Sequence, residues 1–463
     1  MAEKFKFTPS APSSLKEQYD VVIIGSGGAG LVSALQAREL GLRPVILEKM
    51  PTVGGNTMRA SSGMNAAETN IQLREGIVDS FAEFYQETYQ GGGRLNDPEL
   101  LNYFTTHSGQ AIDWLRSHGI ILNDLTITGG MKKKRAHRPK STAPIGSFLV
   151  NNLLWLLDQI KVPIFTQATV TELLKDDASK IKGVNVQIAG ESKTIFAPAV
   201  ILATGGFGAS KQLLKRYRPD LLAYKTTNQV GATGDGIILA EHIGAQVLQM
   251  EMIQIHPTVQ QDTPHTYLIG EAVRGEGAIL VDQQGVRFTN ELGTRKVVSE
   301  QITALPEQAA YLIFDQGVKE RVKAIDFYAS KGLVVSAATP SELAKKLQLD
   351  PTVLADTLLQ WNTAVETKKD VKFGRTTGMQ RKLEKAPYYA IHVAPAIHYT
   401  MGGLHINEKA QVLDQAGNII AGLFAAGEVT GGLHGNNRIG GNSIAETVVF
   451  GRQAGQQAAV YLA

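Results

Sequence analysis

The chain has 463 residues, 43% hydrophobic and 19% charged, a balance that excludes a disordered or fibrous chain. That length allows about two or three domains with a full core. Cysteine is absent, which removes disulfides, thiolate-ligated zinc, iron–sulfur clusters and any thiol nucleophile. The 46 Lys and Arg against 43 Asp and Glu leave a net charge of +3, which argues against a dedicated nucleic-acid partner.

Residues 1–18 read as a loose polar N-terminal arm without the apolar run of a secretory signal. No stretch approaches the ~20 apolar residues that span a bilayer. The expectation is a soluble cytoplasmic protein with no membrane insertion.

Tyr19–Ile24 is a short β-branched run that predicts a buried parallel strand. Gly25-Ser26-Gly27-Gly28-Ala29-Gly30 follows, then a helical stretch to Leu40 closed by Gly41. A second strand is predicted over Pro44–Leu47 and ends at Glu48. The unit is strand–helix–strand with GxGxxG at its turn and an acid after its second strand. Glycines permit the tight turn, the helix N-terminus takes a pyrophosphate, and the acid bonds a ribose hydroxyl. These features together predict dinucleotide binding.

Small polar residues recur from Gly54 to Gly63, which suits a flat ring or diphosphate close to the backbone. Strands are expected at 162–171, 183–189 and 199–203, the last running into Ala203-Thr204-Gly205-Gly206. The basic run Lys132-Lys133-Lys134-Arg135, with Arg138 and Lys140, reads as a solvated loop that mildly steers anions. Thr233-Gly234-Asp235-Gly236 opens a helix over 237–244, and Gly422 to Glu428 repeats the strand-to-glycine form. Between these blocks the pattern changes. Thr339-Pro340-Ser341-Glu342 is a capping box, and Asp350-Pro351 starts a helix whose Leu354, Leu358 and Trp361 repeat as core residues. The predicted class is α/β. A discontinuous Rossmann-like cofactor domain over 19–252 and 386–463 carries an inserted α+β capping domain over 253–385.

The runs VVIIGSGGAGLVSA, LEKMPTVGGNT, ILATGGFG, TGDG, QIHPT, EAVRGEGAI, RFTNELGTR, IHYTMGGL and LFAAGEVTGGLHGNNRIGGNSIAETVVFGR span residues 21 to 452. In content and order they resemble the flavoprotein subunits of the succinate dehydrogenase/fumarate reductase family, above all the soluble flavin domain of flavocytochrome-type fumarate reductases. The resemblance implies FAD held by Gly25, Gly27, Gly30, Glu48, Lys49, Asn56, Thr57, Ser62, Gly63, Thr204, Gly205, Asp235, Glu428, Ser443 and Ile444. It is expected to be non-covalent, because no histidine precedes His107 and the family's attachment point lies shortly after the second strand. The absence of a second strand-linked GxGxxG argues against a separate NAD(P)H domain.

The same resemblance assigns His398 and Arg438 to one substrate carboxylate, His256 and the Glu271 region to the other, and proton transfer to Arg295 with Glu271 and Arg274 as its relay. It implies fumarate reduction, by hydride from reduced flavin and a proton from Arg295. The alternative is another enoate of the urocanate, acrylate or cinnamate type. One departure is visible: the family often has Thr before the glutamate, and here it is Gly270. The electron donor is left open between free reduced flavin, NADH through a partner, and a redox protein.

Overall fold

The computed structural model describes residues 5–140 and 143–463. The first four residues of the N-terminal arm lie outside them. In chain order the elements that build the site start with β1 (Val21–Ile24), α1 (Gly28–Glu39), β2 (Pro44–Leu47), β3 (Ile164–Phe165) and β4 (Ala199–Leu202). Next come β5 (Ile253–Gln260), β6 (Tyr267–Leu268), α2 (Glu271–Gly275), β7 (Ile279–Val281), α3 (Arg295–Thr303) and β8 (Ala310–Asp315). The last are α4 (Pro351–Thr367), β9 (Tyr388–Thr400), β10 (Gln411–Leu413), β11 (Ile419–Ala425) and α5 (Asn442–Leu462).

The first sheet has the order β10-β11-β4-β1-β2-β3. Its pairs are parallel except β10 with β11. All residues of β1, β2 and β4 are buried, which is why these strands read as unbroken apolar runs. The chain leaves β1 toward β2 on one side and returns as β4 on the other. This strand reversal places a crevice at the carboxyl ends of β1 and β4, where ligands bind in open parallel sheets. Helix α1 is buried from Gly28 to Ala37 because the sheet covers one side and α5 another. Gly451 of α5 permits the close approach: a Cβ there would stand 3.0 Å from the Ala29 carbonyl oxygen, and the Ser33 hydroxyl donates to the Gly451 carbonyl at 2.8 Å.

The expected strand over 162–171 is two strands. Gln167 adopts a left-handed φ of 52°, which turns the chain out of the first sheet. Residues Ala168–Lys175 then join Ile181–Ile188 and Glu191–Phe196 in a separate three-stranded sheet. The helix expected over 237–244 runs from Asp235 to His242, two residues earlier.

The second large sheet is antiparallel, in the order β6-β5-β9-β8-β7. Its apolar cluster is separate from that under the first sheet and includes α4, with Trp361 fully buried. The Arg287 and Arg375 guanidiniums lie 4.7 and 4.6 Å from the Trp361 ring centre. Glu291 accepts from Arg287 at 2.8 Å and from Arg375 at 3.0 Å, and Asp370 pairs with Arg287 at 3.0 Å. Buried charges persist only when paired in this way. Strand β9 starts in this core and ends at Thr400, beside the first sheet's crevice.

The basic run is a solvated loop only in part: Lys132, Lys134 and Lys140 are exposed, but its arginines are not. Arg135 is fully buried against Asp79 and Glu87, each at 2.6 Å, and Arg138 is buried on the strand Ala136–Arg138. Lys133 pairs with Glu83 and lies 3.9 Å from Asp79. Acids at 79, 83 and 87, spaced four apart, pair with Lys133 and Arg135 and so reduce the run's charge, while Lys132, Lys134 and Lys140 stay exposed. Among the described residues no helix is long and apolar enough to cross a membrane, and no group of His, Asp and Glu could hold a metal ion.

Candidate active site

The crevice opens into a cleft of about 1540 Å³, including its mouth, at the carboxyl ends of β1, β2, β4 and β11. Its walls include Gly25, Gly27, Glu48, Lys49, Asn56, Thr57, Ser62, Thr204, Gly205, Asp235, Glu428, Ser443 and Ile444, together with Arg295, His398 and Arg438. Gly30 and Gly63 are absent from the wall. A Cβ on Gly30 would stand 2.0 Å from the Gly25 carbonyl oxygen, so this glycine serves the packing of helix on strand. Gly63 lies against the strand bearing Arg138, where a Cβ would stand 2.6 Å from the His137 carbonyl oxygen.

The walls fit a dinucleotide. Gly25 has φ of +105° and no room for a side chain, since a Cβ would meet the Ala203 carbonyl oxygen at 2.4 Å. The tight turn brings the N-terminus of α1 to the cleft, where free N–H groups favour a diphosphate. Glu48 is oriented by that same turn: its Oε2 accepts from the Ser26 N–H at 2.9 Å and hydroxyl at 2.6 Å, and its Oε1 from the Met50 N–H at 2.8 Å. Beyond it, Lys49 Nζ is fixed on Asp235 at 2.7 Å and on the Thr233 hydroxyl at 2.5 Å. Gly205, at φ of +73°, faces open space, and the buried Thr204 hydroxyl beside it has no partner among the described residues. Glu428 accepts from the Thr400 N–H at 3.1 Å and from the Asn56 amide at 3.3 Å, and burial pushes its carboxyl up to about 7. These contacts form a cradle of backbone donors, hydroxyls and two placed carboxyls.

At the inner end four largely buried charged groups meet. Arg295, at the start of α3, donates Nε to Glu271 Oε1 at 2.5 Å and Nη1 to Gln254 Oε1 at 3.1 Å. Arg274, one turn after Glu271 on α2, stands 3.9 Å from that same carboxylate oxygen and donates to the Glu291 carbonyl at 2.5 Å. Its Nε and Nη2 have no hydrogen-bond partner. Arg438 lies 4.4 Å from the Tyr399 ring centre and bonds only the Ile439 carbonyl, at 3.2 Å, while its Nε is unpartnered. Two guanidiniums therefore share the Glu271 carboxylate, and Arg438 adds a third positive charge to the same cluster. Burial would raise the Glu271 carboxyl, but Arg295 and Arg274 outweigh it and hold it down to about 2. Burial, with Arg295 nearby, lowers Arg438 to about 10, and burial lowers Arg274 to about 10.

His256 on β5 and His398 on β9 face each other across the strand pair, ring centres 5.2 Å apart. Burial and then the neighbouring guanidiniums hold both well below the ordinary histidine range, so both imidazoles are neutral. The Thr258 N–H donates to His256 Nδ1 at 3.3 Å, which leaves Nε2 as a buried donor without a partner. His398 Nδ1 is fixed on the Thr227 hydroxyl at 2.7 Å.

All six residues expected to serve substrate and proton are thus brought together. Gln254 and Tyr399 belong to the same cluster and were not expected. Gln254 also donates to the Arg438 carbonyl at 2.7 Å, so it ties two arginines. It stands two positions before His256 on a strand, and that period-two spacing is the signal that points to it. For Tyr399 no local signal exists. Its ring supports Arg438 while its hydroxyl donates to Glu446 at 2.5 Å, and Glu446 in turn bonds His434 at 3.0 Å.

A family model described as an FAD binding domain matches residues 20–444. Over 452 residues the chain is 48% identical to an NADH:fumarate oxidoreductase of Klebsiella pneumoniae, covering 97% of this chain but only 48% of that protein. The chain thus spans about half the length of that relative. It is 40% identical over 452 residues to a fumarate reductase (cytochrome) of Shewanella frigidimarina, covering 97% of this chain and 78% of the relative. The open conformation of a flavocytochrome c3 fumarate reductase superposes with a TM-score of 0.81 at 38% identity, over 97% of this chain and 79% of that one.

Proposed function

The chain belongs to the succinate dehydrogenase/fumarate reductase flavoprotein family, and from that premise we propose that it reduces the C=C bond of fumarate to give succinate. One observation carries the reading. Arg274, Arg295 and Arg438 are buried around a single carboxylate, Glu271, which pairs with the first two, an excess of two positive charges at the inner end of the cleft. A dianion of matching charge neutralises that excess, whereas a monocarboxylate leaves one guanidinium unpaired.

FAD, held non-covalently in the cradle, supplies a hydride to one alkene carbon when bound and reduced. The protein's residues do the rest. Arg438, whose Nε is free, takes one carboxylate with His398 as a neutral single donor. His256 Nε2 takes the other. Arg295 gives a proton to the second alkene carbon, and Glu271 returns one to it from Arg274. A guanidinium held near 10 by burial releases a proton more readily than a solvated one. Electron density moves toward the carboxylate next to the protonated carbon, where buried cations stabilise it in the transition state. Residues 253–385 act as a capping unit that carries Arg295, Glu271 and Arg274 onto the cofactor domain. Electrons reach the flavin from a separate redox donor.

The test is anaerobic reduction of the purified flavoprotein, followed by flavin reoxidation with a panel of enoates. Fumarate is expected to reoxidise it fastest. Failure of every enoate, or faster reoxidation by acrylate, urocanate or cinnamate than by fumarate, overturns the reading.

A further inference from the structure

Gly270 stands immediately before Glu271 and has no side chain of its own, and the structure places a hydroxyl beside it. The Gly270 N–H donates to the Tyr328 hydroxyl at 3.1 Å, and the Tyr328 side chain is buried. A Cβ built on Gly270 would stand 3.6 Å from that hydroxyl and 3.6 Å from the Ser61 hydroxyl, so both oxygens face the space a side chain would fill. Ser61, beside this space, lines the cleft together with Leu268 and Arg295. The Tyr328 oxygen already accepts from Gly270, and its own proton has no acceptor among the described residues.

We propose that Tyr328 supplies a hydroxyl contact to the distal substrate carboxylate across the space beside Gly270, and so sets the preference for a dicarboxylate. The inference rests on the reading of the site as a fumarate reductase. Burial raises the phenol, so it is a neutral donor across the working pH range. Arg138 adds positive charge at the same end: it acts on the phenol, donates Nη2 to the Ser61 carbonyl at 2.6 Å and leaves Nε buried without a partner. Asp124 lies opposite Arg138 in the strand ladder, so Arg138 is balanced when the site is empty. His256 approaches from β5, where the Thr258 hydroxyl donates to the Ile269 carbonyl at 2.9 Å and holds the Gly270 segment against that strand. The distal carboxylate would therefore meet a phenol O–H and an imidazole N–H.

The experiment uses the FAD-loaded protein and four chains: wild type, Tyr328→Phe, Gly270→Thr, and the double variant. Fumarate kinetics, inhibition by succinate and flavin content are measured for each. Tyr328→Phe is expected to raise the fumarate KM and the succinate inhibition constant about tenfold, the loss of one hydrogen bond to a charged group, with flavin content and kcat near wild type. Gly270→Thr is expected to recover most of that loss when added to Tyr328→Phe, because a threonine Cβ makes only ordinary contact there. A fumarate KM within twofold of wild type in Tyr328→Phe overturns the inference, as does a double variant no better than Tyr328→Phe. If Tyr328→Phe fails to load flavin, Gly270→Leu is the second arm, since it covers the phenol and leaves it in place. Its KM must then rise, and an unchanged KM overturns the inference. A wild-type protein that reduces no fumarate would instead remove the reading on which the inference rests.

Discussion

Glu271 Oε1 accepts the Arg295 Nε–H at 2.5 Å and stands 3.9 Å from Arg274 Nη2. One carboxylate oxygen thus joins two guanidiniums that the chain separates by a strand and a loop. The shared oxygen defines the direction in which a proton can travel, and it leaves Arg295 with Nη2 uncommitted.

Arg295 is the position where charge and proton donation can be separated. Arg295→Lys keeps the charge but loses the planar fork. If the residue is the acid, Lys and Ala both lose kcat by orders of magnitude while flavin content persists, and Glu271→Gln shows an intermediate loss. Anaerobic turnover with reduced donor dye measures this. An Arg295→Ala enzyme with wild-type kcat and only a raised KM would make the arginine a binding residue.

Arg438 is committed to nothing except a backbone carbonyl and the Tyr399 ring, so its removal should fall on the substrate. Arg438→Ala should raise the fumarate KM by a factor of a hundred or more, on the order of 3 kcal/mol, with flavin content unchanged. Unaltered fumarate kinetics would refute the assignment.

Glu428 gives a pH signature in the flavin-free protein. Its folded carboxyl is raised to about 7 from an ordinary 4.5. Between those values the folded chain holds a proton that the unfolded chain has lost, so this group's contribution to stability declines as pH rises through the window. Glu428→Gln cannot ionise. The stability difference between it and wild type should shift in favour of the variant by about 3 kcal/mol from pH 4 to pH 8. Urea unfolding at a series of pH values tests this, and parallel curves for the two proteins would contradict it.

The flavin should leave the polypeptide completely on acid or heat denaturation, recoverable as FAD. The one imidazole in the cleft wall, His398, is engaged by Thr227. Fluorescent flavin that migrates with the denatured chain on a gel would show a covalent link.

Local constraints made half of this site readable. The turn at Gly25 and the acid at Glu48 are visible in sequence because a backbone with no room for a Cβ and a strand end of fixed length leave few alternatives. The QIHPT, EAVRG and NNRIGG runs located the charged groups. Long-range geometry stayed hidden. Nothing local says that Tyr399 lies under Arg438, that Tyr328 meets Gly270, or that acids at 79, 83 and 87 bury Arg135 in what reads as a solvated basic loop. These pairs join ordinary residue types across tens of positions, and no period or motif marks them. The split at Gln167 was missed for a related reason: a left-handed glutamine carries no turn signature of its own.

The order of strands in the first sheet also bears on how the protein comes into being. β4 ends at Leu202, but its outer neighbour β11 begins only at Ile419, and the cleft wall is unfinished until Thr447. At ~5–20 residues per second, a ribosome takes on the order of ten to forty seconds to cross that gap. Throughout that interval a nascent chain exposes one edge of a fully apolar sheet and half a nucleotide cradle. Full enclosure of the cofactor therefore waits for synthesis of the chain through Thr447, which completes the cleft wall.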